Sequence, residues 1–96
     1  MKKRVNHVVI HELKADPDPF LDIYNDNKQV EIRLNDREYD VADYILLRQT
    51  LYSAEDMARD CELIYTGRIL LLKIIHVQSG YGLKEGYVAL SIRKLD

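Results

Sequence analysis

Cross-linking and chain-breaking residues are scarce: one cysteine, two prolines, four glycines and no tryptophan in 96 residues. The lone Cys61 excludes an internal disulfide and any zinc ribbon built from cysteine pairs, and it suits a reducing, cytoplasmic compartment. So few glycines and prolines exclude collagen-like and low-complexity classes. Long apolar runs are also missing. Ile69 to Ile75 is broken by Lys73 and falls far short of the roughly 20 apolar residues of a membrane span, so no membrane partner is expected. Met1-Lys2-Lys3-Arg4 is charged like the opening of a secretion signal, but Asn6, His7, His11 and Glu12 interrupt the apolar run that should follow. Nor is there an excess of one charge. With 14 Lys+Arg against 16 Asp+Glu the net charge is -2, which excludes a blanket nucleic-acid coat and makes any anion-binding surface a local patch.

What is present is the ordinary balance of a soluble globular chain, 47% hydrophobic and 31% charged, at a length that fits one domain over residues 1–96. Val5 to Leu13 is rich in β-branched residues and reads as a first strand. Asp16-Pro17-Asp18-Pro19 combines helix caps with prolines suited to a first turn, and Phe20, Ile23 and Tyr24 follow at helical spacing. Asn25-Asp26-Asn27 ends that helix. From Lys28 the period becomes two, with Val30, Ile32 and Leu34 opposite Gln29, Glu31 and Arg33, the pattern of a half-buried strand.

After the charged turn Asn35-Asp36-Arg37-Glu38, Tyr44 to Tyr52 is extended, with Ile45, Leu47 and Leu51 opposite Tyr44, Arg48 and Thr50. Residues 53–60 read as a local insertion forming a helical turn, because Ser53 and Asp56 have capping-box spacing. Cys61 to Tyr65 and Arg68 to Val77 read as two strands joined by a hairpin at Thr66-Gly67. The second is apolar on both faces, which places it centrally. Gly80 to Gly86 is a loop, and Tyr87 to Ile92 a last strand. The sum is a mainly β, α+β fold: a small barrel or strongly curved sheet of about six strands with one main helix packed at one end.

Taken in order, His11-Glu12-Leu13-Lys14, Lys28-x-x-Glu31-x-Arg33, Asn35-Asp36-Arg37, Tyr65-Thr66-Gly67-Arg68 and Gly82-Leu83-Lys84-Glu85-Gly86-Tyr87-Val88 resemble a small bacterial and phage family of unknown function related to ASCH domains, within the PUA-like superfamily. The resemblance runs from about His7 to Ile92. It implies a PUA-like β-barrel and a role in RNA binding or modified-base recognition. ASCH domains carry a Gly-x-Lys-x-x-Glu-x-Arg signature beside a cleft; here Lys28, Glu31 and Arg33 fill it, while Asp26 stands at the glycine. Similar proteins also usually have Thr at Gln29 and Gly at Ala42.

Glu31 and Arg33 are two apart on a strand, so both side chains point the same way, with Cα atoms roughly 7 Å apart. Lys28 precedes them. Two cations and a carboxylate around a cleft suit a reader of an unpaired nucleotide, the cations holding phosphate while the carboxylate accepts from a base amino group. On this reading Arg33→Ala abolishes ligand binding and leaves the fold intact. His11, Arg37 and Arg68 are placed near the cleft, and Tyr81, flanked by glycines, is placed to reach over it and stack on a base.

One group of ASCH relatives looks like amidohydrolases acting on an acylated nucleoside through Lys, Thr and Glu. In that alternative Lys28 matches the lysine, Glu31 occupies the threonine position and Glu85 is the candidate distal glutamate. A further alternative is a phage or bacterial protein-interaction domain, marked by an exposed apolar patch or edge strand. His7 and His11 share a strand face, but a metal site needs a third ligand such as His76 and nothing in the pattern fixes one. The Gly80 to Gly86 loop lacks the Gly-Lys-Ser/Thr ending of a Walker loop. No metal or cofactor is expected.

Overall fold

The computed structural model describes residues 2–5 and 8–95, with side chains from Val8 onward. The described residues form six strands and two short helices, each helix following a pair of strands: β1 (Lys2–Val5), β2 (Val8–Ala15), α1 (Pro17–Tyr24), β3 (Val30–Leu34), β4 (Tyr44–Thr50), α2 (Ala54–Ala58), β5 (Tyr65–Gln78) and β6 (Tyr87–Lys94). They form one mixed sheet in the order β1-β2-β4-β5-β6-β3, antiparallel except where β2 runs parallel to β4. The expected mainly β, α+β class is observed. The barrel, however, is not closed. The sheet curls into a half-barrel whose seam, between β2 and β3, is bridged by a side chain: Arg33 donates from Nη2 to the Lys14 carbonyl at 2.7 Å.

Alternation along each strand sends Leu13, Ile45, Leu47, Leu72, Ile74 and Leu90 to the concave side, where Phe20 and Ile23 of α1 close the core. The expected first strand is observed as β2, with β1 pairing antiparallel to its start; His7 lies outside the described residues. β5 is central by pairing, but only one face is covered, because Ile69 and Leu71 stay exposed on the convex side.

Three expectations are corrected by register. The hairpin at Thr66-Gly67 does not exist: β5 is continuous from Tyr65 to Gln78, and the pairing slips between Arg48↔Ile69 and Thr50↔Tyr65, which leaves Thr66 and Gly67 in a bulge. Gly67, at φ 92°, supplies the left-handed residue of that bulge rather than a turn. The same irregularity reverses the side-chain alternation, so Thr50 is buried and Leu51 is 49% exposed, opposite to the expected facing.

β3 is inverted as well. Glu31 pairs with the fully buried Leu90 and Arg33 with Val88, and directly opposed residues share a face, so the polar side of β3 turns inward while Ile32 and Leu34 are exposed. The register is pinned at both ends, by Asn35 N–H to Gly86 O at 2.8 Å and Ile92 N–H to Gln29 O at 3.1 Å. Slipping β3 by one residue would bury Ile32 and expel Glu31.

Ala42 sits at φ 76° while its N–H is held by the Ile74 carbonyl at 2.8 Å. Left-handed backbone costs an L-residue about 1–2 kcal/mol, partly offset in glycine by the entropy of a freer unfolded chain. Ala42→Gly is therefore expected to stabilise by about 0.5–1 kcal/mol, a rise of several degrees in Tm for a domain of this size. An unchanged or lower melting temperature would show that this alanine is unstrained.

Candidate functional site

The seam opens at one end into a cleft of about 440 Å³ lined by the end of β2 (Lys14, Ala15), the start of α1 (Asp16, Pro19), Lys28, Glu31, Ile32 and Arg33 of β3, Thr50, and Ala54 and Met57 of α2. Local sequence explains each wall. The Ser53 hydroxyl caps α2 by accepting from the Asp56 N–H at 3.1 Å, and the Asp16 carboxylate docks α2 against α1 by accepting from the Ala54 N–H at 2.9 Å. Residues 53–60 thus supply a wall of the cleft, through Ala54 and Met57. Thr50 stitches the floor, its hydroxyl lying 3.1 Å from the Ala15 carbonyl and 2.7 Å from that of Tyr52.

Glu31, 5% exposed, is the centre of the arrangement. Arg33 donates from Nε to its Oε2 at 2.9 Å, while Lys28 Nζ stands 3.6 Å from Oε1, a looser contact. A carboxylate this buried requires partners, and Arg33 supplies the charge-assisted bond that pairs it and fixes its aim. Oε1 retains acceptor capacity toward the cleft. The guanidinium is held on two sides, since Nη2 also bridges the seam to Lys14 O. Arg33 therefore shapes the cleft, and Lys28 is the more available cation.

The other sequence candidates fall elsewhere. His11 is 0% exposed on the inner face of β2, with Nε2 2.8 Å from Asp43 Oδ2 and its ring 4.7 Å from that of Tyr39. Its expected place beside the cleft is corrected: odd positions of β2 face the core. Its Nδ1 has no partner among the described residues. His76 is exposed on β5, and no group of three metal-ligating side chains occurs among the described residues. Arg37 donates to Glu12 O at 3.1 Å and lines a smaller depression on the far side of Arg33. Arg68 lines a separate cavity with Phe20, Tyr24 and Ile69. Tyr81, 94% exposed, and Glu85 sit on the β5–β6 loop, and neither lines the cleft.

Asp16 and Met57 were not legible as site residues. Asp16 reads as a helix cap, and nothing in the spacing of Met57 ties it to β3. Tyr39 is buried, packed on the His11 ring and lining the smaller depression with Arg33 and Arg37. Burial pushes its phenol above the ordinary range, against the pull of Arg33 and Arg37. With the folded pKa raised, the stabilising contribution is complete below the unfolded value of about 10 and is lost as pH rises through the folded one. Tyrosinate absorbance during alkaline titration is expected to show a late-ionising component that Tyr39→Phe removes. An identical titration curve less one ordinary phenol would contradict the buried placement.

No helix among the described residues is long and apolar enough to cross a membrane. Residues 10–92 match the model of a protein family described as a domain of unknown function, DUF3850. No curated protein matches the chain.

Proposed function

The chain belongs to this family of domains of unknown function, DUF3850, and we propose that within it the chain is an ASCH-like, PUA-like module whose cleft recognises RNA through an unpaired or modified nucleobase. The observation that carries this reading is the nearly buried Glu31 carboxylate, aimed by Arg33 into a nucleotide-sized cleft with Lys28 at its rim. Oε1 accepts a hydrogen bond from an exocyclic amino group, and Lys28 neutralises the phosphate. Support for the ASCH resemblance comes from the backbone. Asp26 and Ala42 occupy positions where ASCH-related chains carry glycine, and both have positive φ, 61° and 76°. The conformations that glycine serves are kept although the residues differ.

Fluorescence anisotropy with short single-stranded RNA, duplex RNA and DNA at two salt concentrations tests the reading. Single-stranded RNA is expected to bind saturably. Lys28→Ala should weaken all sequences alike and flatten the log–log salt dependence by about 0.7, the share of one phosphate contact on a single strand. Glu31→Gln should narrow discrimination between bases by about tenfold, by analogy with side-chain readout of base edges. RNA binding that neither variant alters would sink the cleft. Turnover of an acylated nucleoside, lost in Lys28→Ala, would move the assignment to the amidohydrolase reading.

A further inference from the structure

Beyond Lys28 the cleft is continued by a second cavity of about 420 Å³, walled by Ile23 and Ile92 and carrying Lys28, Arg93 and Lys94 against the single carboxylate of Asp26. That is three cations to one anion in a chain whose acids outnumber its bases. The cations are differently committed. Lys94 is fixed by Asp26 Oδ1 at 3.1 Å and by the Tyr24 carbonyl at 2.8 Å, which also closes the C-terminus of α1. Lys28 has only its loose contact with Glu31, and Arg93 makes no ion pair among the described residues. An exposed arginine with no ion pair among the described residues, beside a part-buried lysine held only loosely by Glu31, leaves positive charge incompletely compensated on an apolar wall.

We infer that this second cavity is a phosphate-binding subsite, with Lys28 shared between it and the Glu31 cleft, so that the ligand is a phosphate-bearing strand rather than a free base. The strand identity rests on the nucleotide reading of the first cleft; the anion site stands on its own residues. An arginine fork matches two phosphate oxygens at once, and Lys94, pre-oriented by Tyr24 and Asp26, adds a point charge. Lys28 stands at the wall common to both cavities. A base seated against Glu31 therefore places its backbone toward Arg93.

The experiment compares wild type, Arg93→Ala and Arg93→Lys for binding of the four ribonucleosides, a short single-stranded RNA, inorganic pyrophosphate and oligoglutamate, with backbone amide chemical shifts as the position readout. The RNA is expected to bind at least tenfold more tightly than the best nucleoside. Arg93→Ala should remove most of that gain, and Arg93→Lys should retain part of it. Pyrophosphate alone should shift the amides of Arg93 and Lys94. RNA that binds no better than nucleoside, or a gain untouched by Arg93→Ala, would overturn the subsite and leave the Glu31 cleft standing. Pyrophosphate shifts at Arg93 without any nucleoside effect near Glu31 would do the reverse. Oligoglutamate binding as well as RNA at the same amides would overturn the phosphate assignment in favour of an acidic protein partner.

Discussion

Phe20→Ala is expected to destabilise the domain by about 3–5 kcal/mol, a large share of the 5–15 kcal/mol that holds a protein of this kind together. The ring is 0% exposed, and with Ile23 it makes up the buried face of α1. Eight residues are too few for a helix to persist without packing, so the remaining anchor would hold α1 weakly. The consequence reaches the cleft. Asp16 and Pro19 form one of its walls, and Asp16 holds α2 through the Ala54 N–H. Urea unfolding measures the stability change, and amide exchange at Ala54 reports whether α2 is released with α1. Ile23→Val, which removes one methylene, provides the scale at about 0.5–1.5 kcal/mol. A Phe20→Ala loss no larger than that of Ile23→Val would mean that the helix is held by something other than its apolar face.

Arg33→Ala is expected to cost about 2–3 kcal/mol, below the range for breaking a fully buried ion pair because the arginine is 27% exposed. Two losses combine. Glu31 keeps only the contact with Lys28 at 3.6 Å, and the Lys14 carbonyl loses its donor across the seam. This revises the expectation drawn from spacing alone, in which Arg33→Ala removes ligand binding and leaves the fold untouched. Here binding and stability fall together. Arg33→Lys keeps the charge without the fork, so it should recover part of the Glu31 interaction and little of the seam. Pairing Arg33→Ala with Glu31→Leu should cost less than the sum of the single changes, since the uncompensated carboxylate is then gone. An Arg33→Ala protein with an unchanged unfolding midpoint would dispose of the seam.

The strand–helix sequence was legible where local chemistry decides it. Pro17 and Pro19 opened α1 through their fixed φ, without a side-chain cap from Asp16, and Ser53 capped α2 at the Asp56 N–H; both effects depend on neighbours within four residues. The alternation of Ile45 and Leu47 likewise places both in the core. The misreadings have a common origin. Thr66-Gly67 carries hairpin chemistry, yet Gly67 serves a bulge, since a left-handed glycine fits either and only the partner strand distinguishes them. Ile32 and Leu34 look like a core face, yet pairing with β6 turns them outward, because alternation says which residues share a side and not which side is covered.

The candidate site divides the same way. The spacing of Lys28, Glu31 and Arg33 was enough to put three charged groups together, since two residues along a strand return to one face and Lys28 is just before it. Their roles were not legible. Arg33 is tied to a carbonyl nineteen positions away, and no local pattern encodes a contact of that separation. His11 illustrates the converse: a histidine in a family-like motif is a buried partner of Asp43, thirty-two residues on, because β2 turns that side inward.

By itself, then, the sequence determined the class of fold, the two helix starts and the residues that share a strand face. All of these follow from backbone periodicity and capping within a few residues. Only the tertiary structure decided that the sheet stays open, that β3 turns its charged face into the seam, and that residues 53–60 wall the cleft. Those outcomes depend on strand register and on contacts between distant segments, where the free energy of a position is set by what lies opposite it.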